Sequence, residues 1–84
     1  MRYTLIIQRR AQRALERINE PDYSRITAAI QALADNPRPH GCKKLEGQDA
    51  WRIRIGDYRV IYEINERALV VTVVKVGNRR DVYR

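Results

Sequence analysis

The sequence predicts an α+β fold in which a two-helix hairpin packs on one face of a mainly antiparallel sheet, in the order β-α-α-β-β-β. Three observations predict it. Apolar and basic residues alternate on both sides of Gly56-Asp57, which is typical of a β-hairpin. Two earlier segments instead repeat apolar residues at helical spacing. Residues 69–76 are β-branched and almost continuously apolar, as expected of a strand inside the sheet.

The hairpin of residues 51–62 is the most informative stretch. A two-residue turn at Gly56-Asp57 is a common hairpin length, and glycine at its first position suits a type II′ turn. This register pairs Ile55 with Tyr58, Arg54 with Arg59, Ile53 with Val60, and Arg52 with Ile61. Directly opposed side chains share a face. One face therefore has the apolar and aromatic residues Trp51, Ile53, Ile55, Tyr58, Val60 and Tyr62, and the other has Arg52, Arg54 and Arg59.

The three arginines are the first functional signal. Placing Arg54 across from Arg59 disfavours folding, because directly opposed like charges repel. A cluster that opposes folding is expected to serve an anion, and arginine grips phosphate in a two-pronged way. We therefore predict an anion-binding patch on the sheet face that the helices leave open.

The two helices follow from periodicity and from proline. One apolar stripe consists of Ala11, Ala14, Leu15 and Ile18, and the next of Ile26, Ala29, Ile30 and Leu33. Pro21 ends the first helix and suits the entrance of the second. Asn36-Pro37 ends the second helix, because a residue before proline disfavours the α region.

The remaining segments are read as strands and turns. Residues 2–7 alternate and predict an edge or paired strand. Lys43 and Lys44 begin a short strand or turn, and a further turn near residues 65–67 leads into the last strand. A bulge at Gly77 would leave the face occupied by Arg79 undetermined.

Composition limits the class of protein. The 84 residues suit one domain, residues 1–84, with a small core. The hydrophobic fraction of 44% indicates a folded chain. The net charge is +7, and 14 of the 17 basic residues are arginine. This balance predicts a polyanionic partner, either nucleic acid or an acidic protein.

Several functional classes are excluded by what the sequence lacks. Cys42 is the single cysteine, so no internal disulfide forms, which fits a reducing compartment. One cysteine and one histidine, His40, are too few to close a zinc site, and no metal or other cofactor is expected. No long apolar run or signal-peptide pattern is present, so we expect a cytoplasmic protein without a membrane partner.

Three motifs are spread along the chain. They are Lys44-Leu45-x-Gly47, Gly56-x-Tyr58-Arg59-Val60-Ile61-Tyr62 and Val76-Gly77-x-Arg79-x-x-Val82-Tyr83. This series resembles the RelE/ParE superfamily of toxins from type II toxin–antitoxin systems, over essentially the whole chain. The RelE-like branch is the most similar one.

The resemblance implies a small endoribonuclease that cuts mRNA, typically in the ribosomal A site, and so inhibits translation. It also implies a cognate antitoxin, acidic or amphipathic, that binds the toxin surface. RelE-type sites have basic residues on the central hairpin, an arginine after the strand-ending glycine and a tyrosine near the C-terminus. Arg52, Arg54, Arg59, Arg79 and Tyr83 fall on those positions. Further RNA contacts are expected from Lys43, Lys44, Arg80 and Arg84.

The chain departs from the family pattern in its titratable groups. Well-known members have lysines at the hairpin positions, whereas arginine stays protonated and acts as a fixed charge. Many relatives have histidine where Asn78 stands, and an amide cannot titrate. Tyr83 is therefore the candidate general base, because nearby arginines favour the phenolate; stacking on a nucleobase is its alternative role. Arg79 would neutralise the leaving group or donate to it.

Two other functions stay open at this point. A ParE-like toxin shares the fold and the antitoxin but inhibits DNA gyrase, and it would not need Tyr83. A non-enzymatic module for RNA binding or antitoxin docking would bind RNA with strong salt dependence and leave it intact.

Overall fold

The structure of the protein, a computed structural model, describes residues 2–78. Within this range lie two helices and five strands. They are β1 (Thr4–Ile7), α1 (Arg9–Glu16), α2 (Asp22–Ala32), β2 (Lys43–Lys44), β3 (Trp51–Ile55), β4 (Tyr58–Asn65) and β5 (Val70–Asn78). The strands form one sheet in the order β1-β5-β4-β3-β2, in which β1 runs parallel to β5 and the other neighbours are antiparallel. The predicted α+β class is confirmed.

The order of elements agrees with the predicted β-α-α-β-β-β order, except that one short edge strand, β2, comes before the hairpin. The segment that was expected to be a short strand or turn is β2, which pairs with β3 at the edge of the sheet. The parallel pairing of β1 with β5 places β5 inside the sheet, as its apolar composition predicts. Neither helix within residues 2–78 is long and apolar enough to cross a membrane.

Both helices pack on one face of the sheet. The predicted stripes supply the contacts: Ala11 and Leu15 of α1 are buried, as are Ile26 and Ile30 of α2. Opposite them, the sheet contributes the buried residues Ile53, Val60, Tyr62, Val71, Val73 and Val76. We call this side the helix-covered face and the other side the open face. As predicted, the hairpin arginines belong to the open face.

The predicted register of the β3–β4 hairpin is confirmed at every pair. Arg54 lies opposite Arg59, and the pairing continues to Trp51 and Tyr62. Gly56 has a φ of +59°, a conformation that glycine adopts without steric cost. Asp57 is not in the left-handed region, and a positive φ at the first turn position alone is the pattern of a type II′ turn.

The β4–β5 pairing contains a β-bulge, but not at Gly77. Gly77 pairs regularly with Arg59. The register shifts between Ile61 and Tyr62, which pair with Lys75 and Val73, so that Val74 is the extra residue. The bulge that the sequence left open at Gly77 therefore lies elsewhere on β5, because glycine is compatible with a bulge without fixing its position.

A set of side-chain contacts fixes the loop between α2 and β2. The hydroxyl of Tyr62 donates a hydrogen bond of 2.7 Å to the buried carbonyl of Pro37. The guanidinium of Arg38 lies 5.0 Å from the centroid of the Trp51 ring and 2.6 Å from a carboxylate oxygen of Glu66. Glu66 also accepts a hydrogen bond of 2.6 Å from the Tyr3 hydroxyl. Trp51 is thereby half-buried on the core side, where its strand parity places it.

Candidate functional site

Two rows of paired residues cross the open face, and most of their side chains are basic. The first row is Arg54, Arg59 and Gly77, one residue from each of β3, β4 and β5. The second row is Lys43, Arg52, Ile61 and Lys75, one residue from each of β2, β3, β4 and β5. Opposed residues share a face, as do residues two apart on a strand. The cluster of Lys43, Arg52, Arg54, Arg59 and Lys75, the basic cluster below, therefore occupies one side of the sheet.

The members of the basic cluster differ in burial. Arg52 and Arg59 are each only 7% exposed, whereas Arg54 and Lys43 are exposed and Lys75 is half-buried. A charge with less water around it acts through a lower effective dielectric, so it interacts more strongly with a nearby anion. Arg52 and Arg59 are therefore the two cations best placed to stabilise negative charge on this face.

The structure separates the two neighbouring lysines of β2. Lys43 pairs with Arg52 and so shares its face, whereas Lys44 pairs with Trp51 and so projects to the other side. Both lysines are exposed. The sequence prediction placed Lys43 and Lys44 together as RNA contacts, but only Lys43 lies with the arginines.

Lys75 is a member of the basic cluster that the sequence prediction omitted. It lies within the apolar run of β5 and is one residue away from the extra residue of the bulge. The available signal was that Lys75 is the single charge within residues 69–76.

An apolar stripe borders the basic cluster on the side away from the hairpin turn. It consists of Leu45, Ala50, Ile61 and Val74, which pack together. Beyond it, Glu63, which pairs with Thr72, lines an open groove of about 570 Å³ together with Asp49, Glu66 and Arg67. The sheet therefore has a basic half near the β3–β4 turn, whereas three carboxylates and one arginine line the groove near the β4–β5 turn.

Four residues predicted for the site lie outside the described residues: Arg79, Arg80, Tyr83 and Arg84. The described part of β5 ends with two residues paired to β4: Gly77 pairs with Arg59, and Asn78 pairs with Tyr58. The last described residues of β5 thus lie directly beside the arginine row.

Two tyrosines among residues 2–78 have raised pKa values. Burial raises the pKa of Tyr62, whose hydroxyl is bound to Pro37. The hydrogen bond to Glu66 raises the pKa of Tyr3. Both phenols are therefore held neutral at physiological pH, and neither is suited to act as a base. Across residues 2–78 no three His, Cys, Asp or Glu side chains form a group that could hold a metal ion.

Comparison with known proteins assigns the family. The model of a family described as the ParE toxin of the parDE type II toxin–antitoxin system matches residues 5–83. The chain therefore belongs to the RelE/ParE superfamily of type II toxin–antitoxin toxins, as its motifs indicated.

The individual relatives described next are RelE toxins, as expected for a member of the RelE-like branch. A candidate RelE1 toxin of Methanocaldococcus jannaschii is 26% identical over 88 residues, covering 100% of this chain and 98% of the relative. A chain of the RelE–RelB complex from Pyrococcus horikoshii OT3 is 32% identical with a TM-score of 0.85, covering 98% of this chain and 100% of that one. RelE from Escherichia coli in the free state has the same fold, with a TM-score of 0.81 at 23% identity over 99% of this chain and 90% of that one.

Proposed function

We propose that this protein is a single-domain RelE-like toxin that cleaves mRNA on the ribosome and so inhibits translation in the cytoplasm. The observation that supports this function best is the placement of Arg52, Arg54 and Arg59 together on the sheet face opposite the helices. Arg54 lies directly opposite Arg59, where like charges repel, and an anion bound beside them would relieve that repulsion. The scissile phosphate of RNA is that anion.

The proposed reaction is an intramolecular transfer at phosphorus. The 2′-oxygen forms a bond to the adjacent phosphorus, and the bond from phosphorus to the 5′-oxygen breaks. The products are a 2′,3′-cyclic phosphate and a 5′-hydroxyl. The phosphorane between them has additional negative charge, which the fixed cations Arg52 and Arg59 stabilise from a poorly hydrated position. Their share is electrostatic, because arginine does not exchange its proton at neutral pH.

The proton transfers are assigned through the family resemblance. Tyr83 would accept the proton of the 2′-hydroxyl. Arg79 would neutralise the departing 5′-oxygen or donate a hydrogen bond to it, and that oxygen would take its proton from water, since arginine keeps its own. A general base of this kind contributes about 10²- to 10⁴-fold. Lys43, Lys44, Arg80 and Arg84 were predicted to contact RNA. The position of Lys43 beside Arg52 supports its contact, whereas Lys44 lies beside Trp51 on the other side of the sheet and is left out of the proposed site.

The hairpin contributes three arginines, which are fixed charges, and no group suited to accept a proton, so the isolated protein should be a weak nuclease. A ribosome that holds the mRNA in place would supply the positioning that the protein lacks. The proposed protein partner is a cognate antitoxin, because RelE relatives from Pyrococcus horikoshii and Mycobacterium tuberculosis are found in complexes with antitoxins.

Primer extension on mRNA from cells that briefly express the protein tests this function. We expect new 5′ ends within translated codons for the wild type, and a strong loss of these ends for Arg52→Ala, Arg59→Ala and Tyr83→Phe. Lys44→Ala serves as the control, because it removes a charge from the other side of the sheet. Full cleavage by all three site variants would refute the assignment.

A gyrase-inhibiting toxin is the second candidate, because the matching family model is described as a ParE toxin. Such a toxin would change the supercoiling of plasmid DNA in expressing cells and leave mRNA uncut. Measuring supercoiling on the same cultures as primer extension separates the two functions. Binding of RNA without cleavage and without a change in supercoiling would indicate a non-enzymatic module.

A further inference from the structure

We propose that the substrate RNA crosses the strands of the open face, with its backbone held by Lys43 at one end and by Lys75 at the other. This inference rests on the proposed function and adds to it a direction for the RNA and one binding residue, Lys75. Lys43 lies on edge strand β2 and Lys75 lies on β5. The arginines of β3 and β4 lie between them, so the scissile phosphate occupies the middle of the path.

The β-bulge is what brings Lys75 to this face. From the β4–β5 turn, the register pairs Asn65 with Val70 and continues regularly to Tyr62 and Val73. Continued without a shift, it would place Lys75 opposite Val60, on the helix-covered face. The extra residue moves Lys75 opposite Ile61 instead.

Burial supports the same orientation. Val76, next to Lys75, pairs with Val60 and is 5% exposed, so it belongs to the helix-covered face. Neighbouring residues of a strand point to opposite sides. Bulges re-aim side chains near functional sites, and this one adds a cation to the basic cluster.

The row from Lys43 to Lys75 has the dimensions of a short RNA segment. It covers three inter-strand steps of about 4.8 Å, or about 14 Å in all, which spans a few nucleotides. Gly77 lies beside Arg59, and a glycine within a strand often marks a place where a ligand or another backbone approaches closely.

Charge confines the path to the half of the open face near the turn. On the far side of the apolar stripe, the open groove is lined by three carboxylates and by the single cation Arg67, so its balance of charge repels phosphate. A backbone that ran along the strands would have to pass these acidic residues. An RNA backbone that runs across the strands meets, among residues 2–78, the two rows of the basic cluster.

Binding of an RNA that cannot be cleaved tests the path separately from catalysis. The probe is a fluorescein-labelled single-stranded RNA with 2′-O-methyl groups, and anisotropy gives its affinity for the full chain at several salt concentrations. Lys43→Met and Lys75→Met remove a charge while keeping an apolar stem. Lys44→Met is the matched control, because it makes the same change one residue away on the opposite side. Lys75→Arg keeps the charge.

We expect Lys43→Met and Lys75→Met each to weaken binding about two- to fivefold, as for other exposed ion pairs. Each should also lower the slope of log K against log salt by about 0.7, the value of one phosphate contact on a single strand. Lys44→Met and Lys75→Arg should keep the wild-type slope. A wild-type slope for Lys75→Met, or an equal loss for Lys44→Met, would overturn the path.

Cleavage of ribosome-bound mRNA, measured in parallel, keeps the two proposals distinct. Cleavage by the wild type together with an unchanged slope for Lys75→Met refutes the path and leaves the proposed function standing. A slope that depends on Lys43 and Lys75, without any cleavage, supports the path and refutes the nuclease.

Discussion

The two faces of the β3–β4 hairpin are built from alternate residues of the same strands, yet they have opposite roles. On the helix-covered face, Ile53, Val60 and Tyr62 are packed into the core. On the open face, Arg52, Arg54 and Arg59 gather positive charge that works against folding. The hairpin can hold such a cluster because the alternate residues stabilise it. The comparison predicts that substitutions on one face change cleavage and those on the other change stability.

The largest expected effect is on cleavage by variants of the buried arginines. Arg52→Met or Arg59→Met should lower the rate of cleavage of ribosome-bound mRNA about 10²- to 10³-fold, the usual loss for one group that stabilises transition-state charge. Arg54→Met should lower the rate of cleavage by a smaller factor, because Arg54 is exposed and its charge is screened by water. Rates at saturating ribosome concentration test this order, and equal losses for all three would contradict the role of burial.

On the helix-covered face, the expected effect is on folding. Ile53→Ala should lower the free energy of unfolding by about 2–4 kcal/mol, since it leaves a cavity under the helices. Urea denaturation followed by circular dichroism measures this loss. The milder Ile53→Val should cost about 0.5–1.5 kcal/mol and keep wild-type cleavage. A folded Ile53→Val protein that cleaved poorly would show that the two faces are not separable.

A smaller effect is expected at the loop between α2 and β2. Tyr62→Phe removes the donor to the Pro37 carbonyl, which is buried, and leaves that oxygen unsatisfied. The expected loss is about 1–2 kcal/mol in the free energy of unfolding. The melting temperature of this variant is compared with that of Tyr58→Phe, which makes the same change on the same strand and face. Equal melting temperatures for the two variants would argue against the hydrogen bond.

The smallest effect concerns the ionic contacts of Glu66. Hydrogen bonds from Tyr3 and then Arg38 lower the pKa of Glu66, and the bond to Glu66 raises the pKa of Tyr3. The stability that Glu66 contributes to the folded state is therefore fully present above the ordinary pKa of a glutamate. It is lost as the pH falls through the lowered pKa of Glu66 in the folded protein. The Tyr3 contribution is present below the ordinary pKa of a tyrosine and is lost as the pH rises through the raised value.

The melting temperature of the wild type should accordingly exceed that of Glu66→Gln by a small, constant amount between about pH 5 and pH 9. The difference should shrink on either side of that window. A difference that grew in acid would contradict the assignment of the lowered pKa to Glu66.

The parts of the molecule that sequence alone predicts are those set by local chemistry. Gly56-Asp57 fixes the hairpin register, and the register fixes the faces of Arg52, Arg54 and Arg59. The helical stripes depend on periodicity within single segments, and they become the core without correction.

Long-range geometry accounts for what the sequence could not predict. A continuously apolar strand such as β5 has no alternation of apolar and polar residues that would tell its two faces apart. The position of the bulge and the face of Lys75 could therefore not be predicted. A strand of two residues likewise gives no period by which to separate Lys43 from Lys44. The burial of Arg52 and Arg59 and the meeting of Tyr3, Arg38 and Glu66 depend on contacts between distant segments.

The decisive measurement is the rate at which the double variant Arg52→Met/Arg59→Met cleaves ribosome-bound mRNA. The variant keeps every residue of the helix-covered face, and a cooperative melting transition verifies its fold. If the buried arginines stabilise the transition state, this folded protein produces no cleavage above background where the wild type cuts within translated codons. Cleavage at the wild-type rate by the folded double variant would contradict that role.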